Sequence, residues 1–134
     1  MDLRILALAL LTTGTAHAAS LNQDAPAFLP AYQAFVPEHC PEAGHHTIAW
    51  RIEPGYYLYR HALSFTVDGD PLNASIPDGE PYLDEHFGEV TIYRDQLFVQ
   101  IPATEGVLTV TYQGCADAGL CYPPQEQRFE LVAP

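Results

Sequence analysis

The stretch Thr47-Ile48-Ala49-Trp50-Arg51-Ile52-Glu53-Pro54-Gly55-Tyr56-Tyr57-Leu58-Tyr59-Arg60 decides the fold class. Ile48, Trp50 and Ile52 alternate with Thr47, Ala49 and Arg51, the two-residue period of a strand with one buried face. Pro54-Gly55 turns the chain, since proline presets one turn dihedral and glycine accepts the left-handed one. An aromatic strand, Tyr56 to Arg60, follows. Further along, Leu63, Phe65 and Val67 alternate until Asp68-Gly69-Asp70-Pro71 breaks the run. The Pro/Asp/Gly-rich stretch from Pro77 to Gly88 reads as loop. Val90 to Tyr93 is extended, Arg94-Asp95 turns, and Leu97, Val99 and Ile101 alternate up to Pro102. Leu108, Val110 and Tyr112 point one way while Thr109, Thr111 and Gln113 point the other, and Phe129 and Leu131 give a last strand. Roughly seven short strands at intervals of about 8–12 residues, with no helical period, predict an all-β fold, a β-sandwich. There is no internal repeat, low-complexity tract or interdomain linker.

Composition narrows the class further. A chain of 134 residues, 48% hydrophobic and 16% charged, is one domain with enough apolar surface for a core. Five basic residues, all arginine, face 17 acidic ones, for a net charge of −12. A nucleic-acid or anionic-membrane binder needs a positive face to displace counterions, so both are excluded as partners. Twelve prolines and nine glycines cut the chain too finely for a helical bundle.

Residues 1–18 are a separate problem. Arg4 stands in a short polar start, followed by the apolar run Ile5 to Leu11 and then Ala16-His17-Ala18. These are the three parts of a secretory signal peptide cleaved after Ala18; a buried N-terminal helix is the bland alternative. The run is too short to span a bilayer, and no second apolar stretch of roughly 18 residues follows, so no membrane insertion of the mature domain is expected. Residues 19–134 are then an exported domain whose thiols meet an oxidising compartment.

Three cysteines carry the chemical question. Cys115 and Cys121 bracket Ala116-Asp117-Ala118-Gly119-Leu120, and Gly114, Gly119, Pro123 and Pro124 favour a tight reversal able to bring the sulfurs together. A structural staple is the ordinary fate of such a pair in an exported domain. Closing a loop of about seven residues removes only roughly 2.4 kcal/mol of unfolded-chain entropy, whereas a loop of about 76, from Cys40 to Cys115, would remove roughly 4.5 kcal/mol. Spacing alone leaves staple and exchanging pair both open.

The run Tyr112-Gln113-Gly114-Cys115-Ala116-Asp117-Ala118-Gly119-Leu120-Cys121-Tyr122-Pro123-Pro124 closely resembles the active-site segment of the N-terminal periplasmic domains of the bacterial thiol:disulfide interchange protein DsbD. The likeness extends to Pro54–Arg60, to Asp84-Glu85-His86-Phe87-Gly88 and to Ile92-Tyr93-Arg94-Asp95, and covers the chain from Phe28 to about Leu131. It implies an immunoglobulin-like sandwich in the periplasm, working as an electron relay without a cofactor or metal. A thioredoxin-like domain would reduce it, and it would in turn reduce thioredoxin-fold partners such as disulfide isomerases and cytochrome c maturation thioredoxins. By position, Cys115 and Cys121 are the redox pair, with Cys121 forming the mixed disulfide and Cys115 resolving it. Asp84 and Glu85 match an acidic pair beside the site, Tyr57 and Tyr59 match aromatics lining it, and 84–88 matches a loop capping the cysteines. The family pattern places an aromatic cap where this chain has His86, with Phe87 next to it, so either could shield the sulfurs. Without the resemblance, Asp84 and Glu85 read as solvated loop carboxylates and the two tyrosines as sandwich core.

Exchange needs a thiolate, usually activated by a nearby cation or a helix N-terminus. No arginine or histidine lies between Tyr112 and Pro124, while Asp117 lies inside the loop. Carboxylates and apolar cover raise a thiol's pKa, so the pair is expected to be sluggish when free and reactive once docked. The cluster His39-Cys40-Pro41-Glu42-Ala43-Gly44-His45-His46 carries plausible zinc or copper ligands but matches no closed motif. Its alternative is an exposed, mobile loop with a leftover thiol. Asn73-Ala74-Ser75 is a glycosylation sequon in form only. The competing reading of the whole chain is an exported immunoglobulin-like binding module with a structural hairpin disulfide. Nor does the sequence choose between the N-terminal piece of a longer protein and a free-standing, monomeric domain.

Overall fold

The computed structural model describes Gly14 and residues 27–133; the expected signal peptide and the start of the exported domain otherwise lie outside the described residues. After a single helical turn, α1 (Ala31–Ala34), come eleven strands: β1 (Phe35–Glu42), β2 (His45–Ile52), β3 (Tyr56–Tyr59), β4 (Ser64–Val67), β5 (Asp70–Pro71), β6 (Glu80–Asp84), β7 (Gly88–Tyr93), β8 (Gln96–Pro102), β9 (Gly106–Tyr112), β10 (Gly114–Ala116) and β11 (Gln125–Leu131). They form three antiparallel sheets in the orders β1-β2-β8, β10-β3-β7-β6 and β11-β9-β4-β5.

The alternation read in the sequence becomes burial. Ile48, Trp50 and Ile52 of β2, Leu97, Val99 and Ile101 of β8, and Leu108, Val110 and Tyr112 of β9 all point into one core. Trp50 joins the first and third sheets, edge-on to Phe65 at 6.2 Å and to Tyr112 at 5.7 Å between ring centroids. Removing such side chains from water stabilises the fold by about 1.5–3 kcal/mol each. Between β4 and β5, Asp68 and Gly69 both have positive φ (49° and 86°), the geometry of a tight two-residue hairpin.

Two segments differ from expectation. Roughly seven strands become eleven through the addition of β1, β5, β6 and β10, and Pro77–Gly88 is not all loop, since β6 pairs β7 from Glu80↔Ile92 to Asp84↔Gly88. The His39–His46 cluster is likewise no mobile loop, since β1 and β2 pair from Phe35↔Ile52 to Glu42↔His45. The cause is shared. β6 and β1 are edge strands, where proline is tolerated because one side of the backbone needs no donor. Pro81, Pro37 and Pro41 therefore mark edges rather than breaks.

β3 is an inner strand of the second sheet, between β10 and β7, and all four of its residues are buried. Tyr56 and Leu58 join the main core. Tyr57 and Tyr59 emerge on the other side, into a small second cluster with Ile92 and Cys115.

Candidate redox site

Cys115 is delivered to that second cluster by register: β10 pairs β3 as Gly114↔Leu58, Cys115↔Tyr57 and Ala116↔Tyr56. Gly114 permits the pairing, because a Cβ there would collide with the Tyr57 carbonyl and the Phe35 ring. The chain then reverses through Gly119, whose φ of +109° suits glycine. Ala116 N–H donates to Leu120 O at 2.7 Å, Gly119 N–H to Ala116 O at 3.0 Å, and Tyr122 N–H to Gly114 O at 3.0 Å. Asp117 N–H ties the loop to Gly55 O at 2.8 Å. This returns Cys121 antiparallel to Cys115, and the two form a disulfide. The sulfurs differ in access: Cys115 is 1% exposed, whereas Cys121 is only half-buried.

A carboxylate organises the wall behind Cys115. Asp84, at the end of β6, is 4% exposed. Its Oδ2 accepts the hydroxyls of Tyr57 at 2.8 Å and Tyr59 at 2.5 Å. Its Oδ1 accepts the backbone N–H groups of His86 at 2.7 Å and Phe87 at 3.0 Å. Burial pushes the Asp84 pKa up, but these four donors outweigh it and hold the carboxyl at about 2. Burial and the same carboxylate push the Tyr59 hydroxyl up to about 12 and raise Tyr57 as well. The Tyr59 oxygen also lies 3.0 Å from Cys115 Sγ and 3.9 Å from Cys121 Sγ. A phenol has one proton, and the ionised Asp84 is the stronger acceptor. Tyr59 therefore gives its proton to Asp84 and can offer the sulfur only its lone pairs.

Of the expected site residues, Cys115, Cys121, Asp84, Tyr57 and Tyr59 come together, and the tyrosines are more than core filling. The segment 84–88 is the turn of the β6–β7 hairpin. Phe87 packs edge-on to Tyr59 at 5.2 Å and against His61 at 4.8 Å while staying 53% exposed. His86 is exposed and serves through its backbone N–H. Glu85 is exposed and makes no hydrogen bond or ion pair among the described residues.

A cation does reach the cysteine loop, contrary to the expectation from Tyr112–Pro124 alone. Arg94, just after β7, donates to both carboxylate oxygens of Asp117 at 3.0 Å. Its Nε lies 3.4 Å from Glu80, and its guanidinium covers the Tyr57 and Tyr82 rings at 5.2 and 5.6 Å. The signal was present in the sequence: Arg94 is in phase with Val90 and Ile92, both packed on the cysteine face.

The histidine–cysteine cluster is dispersed by alternation. His39 and His46 bond through Nε2 and Nδ1 at 3.1 Å, and His46 Nε2 donates to Thr104 O at 3.1 Å. The carbonyl needs the Nε2 proton, so a neutral His46 accepts from His39. Burial, with His46 beside it, lowers the His39 pKa. Cys40 is a free thiol one residue out of phase, paired with Thr47. No group of three or more His, Cys, Asp or Glu among the described residues is placed to hold a metal, nor is any described helix long and apolar enough to cross a membrane.

Known proteins resemble this chain in sequence and in fold. The family model for the thiol:disulfide interchange protein DsbD, N-terminal, fits residues 25–133. The chain belongs to this family. The DsbD of Cronobacter sakazakii is 44% identical over 141 aligned residues, covering 97% of this chain and 24% of that protein. The DsbD of Pseudomonas fluorescens is 43% identical over 130 residues, covering 94% and 22%. This chain thus spans about a quarter of the length of these relatives. Among solved structures, the Neisseria meningitidis DsbD N-terminal domain in the reduced form superposes with a TM-score of 0.70 at 34% identity, over 79% of this chain and 90% of that one. The complex of the DsbD and PilB N-terminal domains from the same organism gives 0.68 at 35% identity, over 80% and 89%. The shared fold is the immunoglobulin-like β-sandwich.

Proposed function

We propose that this domain is a periplasmic thiol:disulfide relay, exported by residues 1–18 and working as a monomer over 19–134. Its Cys115–Cys121 pair would be reduced by a thioredoxin-like donor domain and oxidised by thioredoxin-fold acceptors, disulfide isomerases and cytochrome c maturation proteins among them. The observation that carries this reading is the unequal access of the two sulfurs, one sealed behind Tyr59 and the other half-buried.

In the reducing direction the Cys121 thiolate attacks an acceptor disulfide along the S–S axis and one acceptor sulfur leaves as thiolate. Cys115, deprotonated, then attacks Cys121 Sγ of the mixed disulfide and releases the second acceptor thiolate. The acceptor gains two electrons and two protons as this dithiol becomes a disulfide. Cys121 is the nucleophile because a partner can reach it; Cys115 resolves because it cannot be reached.

The environment keeps the free dithiol quiet. An ionised Asp84 behind Tyr59 disfavours a second negative charge at Cys115, and Tyr59 has no spare proton to stabilise it. Arg94 is already engaged by two carboxylates. A titration of the free reduced domain that put the Cys121 thiol well below the ordinary cysteine value of about 8.5 would contradict this account. Phe87, packed on Tyr59, is the aromatic shield, and His86 positions Asp84 through its backbone; a partner would displace the turn on docking.

The backbone hydrogen bonds across the loop argue against a mere staple, since they share with the covalent bond the work of holding the reversal. Cys115→Ser should trap thioredoxin-fold proteins from a periplasmic extract as mixed disulfides through Cys121. An empty trap, together with a reduction potential below about −300 mV, would establish the binding-module reading instead.

A further inference from the structure

We infer that Arg94 is a positioning residue for the disulfide, clamping the Cys115–Cys121 loop in its closed shape through the two-pronged bond to Asp117. The inference rests on the exchange chemistry proposed above and adds a residue to it. Four observations converge on this guanidinium. It grips both oxygens of Asp117, one of the five residues between the cysteines. It is braced on the other side by Glu80 of β6. It lies over Tyr57 and Tyr82, and Tyr57 is the register partner of Cys115. It is itself partly buried, its side chain 27% exposed, so the fork is held rather than free to wander.

The consequence is thermodynamic. When the disulfide is reduced, each sulfur takes a proton and the covalent tie across the loop is lost. A loop free to open then gains conformations that must be lost again on reoxidation. Arg94 acts on that dithiol state. By holding Asp117 against β7, it keeps Cys121 opposite Cys115 and raises the effective concentration of one thiol at the other. An arginine–carboxylate fork supplies direction as well as attraction, which a lysine would not.

The test is the equilibrium of the whole domain with reduced and oxidised glutathione, two glutathione thiols giving one glutathione disulfide for each protein disulfide opened. Asp117→Asn is the primary variant because its side chain is 45% exposed and its loss leaves the core untouched. It should shift the equilibrium about fivefold toward the dithiol, a potential higher by about 20 mV at 29.6 mV per tenfold. Arg94→Gln should do the same, and the double variant no more than either single one. Arg94→Lys, which keeps the charge without the fork, should recover less than half of the shift. Near-UV circular dichroism of the oxidised variants confirms the fold. An unchanged equilibrium in Asp117→Asn, full recovery by lysine, or a double variant equal to the two single shifts combined would overturn the clamp. A wild-type disulfide that glutathione cannot open at any ratio would instead defeat the exchange reading itself, a separate and recognisable failure.

Discussion

Tyr56 and Leu58 leave β3 on one side, Tyr57 and Tyr59 on the other, and the two faces have opposite chemistry. The first face meets Phe35, Trp50 and the β8 and β9 side chains in a largely apolar core. One buried side-chain polar atom there, Trp50 Nε1, has no partner among the described residues. The second face is a few residues across, and its centre is a carboxylate with four donors aimed at it. Burial does most of the fixing on the first face, where the Tyr56 hydroxyl also accepts the Leu29 N–H at 2.8 Å, so a well-fitting apolar side chain would serve at Leu58. On the second, burial is the means by which a fixed negative charge, a phenol and a sulfur are held within 3.0 Å steps. The strand between them transmits position but need not transmit chemistry.

The largest effect should come from the core face. Leu58→Ala removes a fully buried side chain and should cost about 2–5 kcal/mol in urea unfolding, with the glutathione potential of the oxidised, folded protein unchanged. A potential that moves with Leu58 would show that the two faces are not independent. Reducing the disulfide of the wild type should cost about 2.4 kcal/mol, the entropy of a loop of about seven residues, and the folded sandwich should survive it. Cooperative unfolding on reduction would make the second face a structural keystone and break the contrast.

Asp84→Asn sharpens it through pH. The Asp84 pKa is lowered on folding, to about 2, so its contribution is fully present above the unfolded value and disappears as pH falls through the folded one. The wild type should lose about 2 kcal/mol from this group between pH 4 and 2. In Asp84→Asn that slope should be missing from the unfolding free energy measured across the same range. Equal slopes in both proteins would mean that the carboxylate is not held ionised by Tyr57 and Tyr59.

How far the sequence could be read follows from the same contrast. β2, β8 and β9 are visible because each has one wet and one dry face, as the strict alternation of β8 from Gln96 to Pro102 illustrates. β1 and β6 are hidden by prolines that only an edge tolerates. The cysteines, the tyrosine strand and the acidic turn were legible through resemblance, since nothing local distinguishes Asp84 from a solvated loop aspartate. Its burial depends on hydroxyls 25 and 27 residues away. Arg94 escaped for a different reason. Arg94-Asp95 is a true turn, with Asp95 at φ +62°, yet the Arg94 side chain keeps the phase of the strand it has just left.

Cys40 marks the lower limit of the expected effects. It sits on β1 opposite Thr47, on the face away from the His39–His46 bond, and outside the cluster that holds Cys115. Serine there removes a weak donor and little volume, and the change in unfolding free energy should stay within about 0.5 kcal/mol. Mixed-disulfide trapping through Cys121 and the glutathione potential should both be unaltered in Cys40→Ser. Loss of either would give the third thiol a place in the exchange, and the chemistry of this chain would no longer be confined to one face of β3.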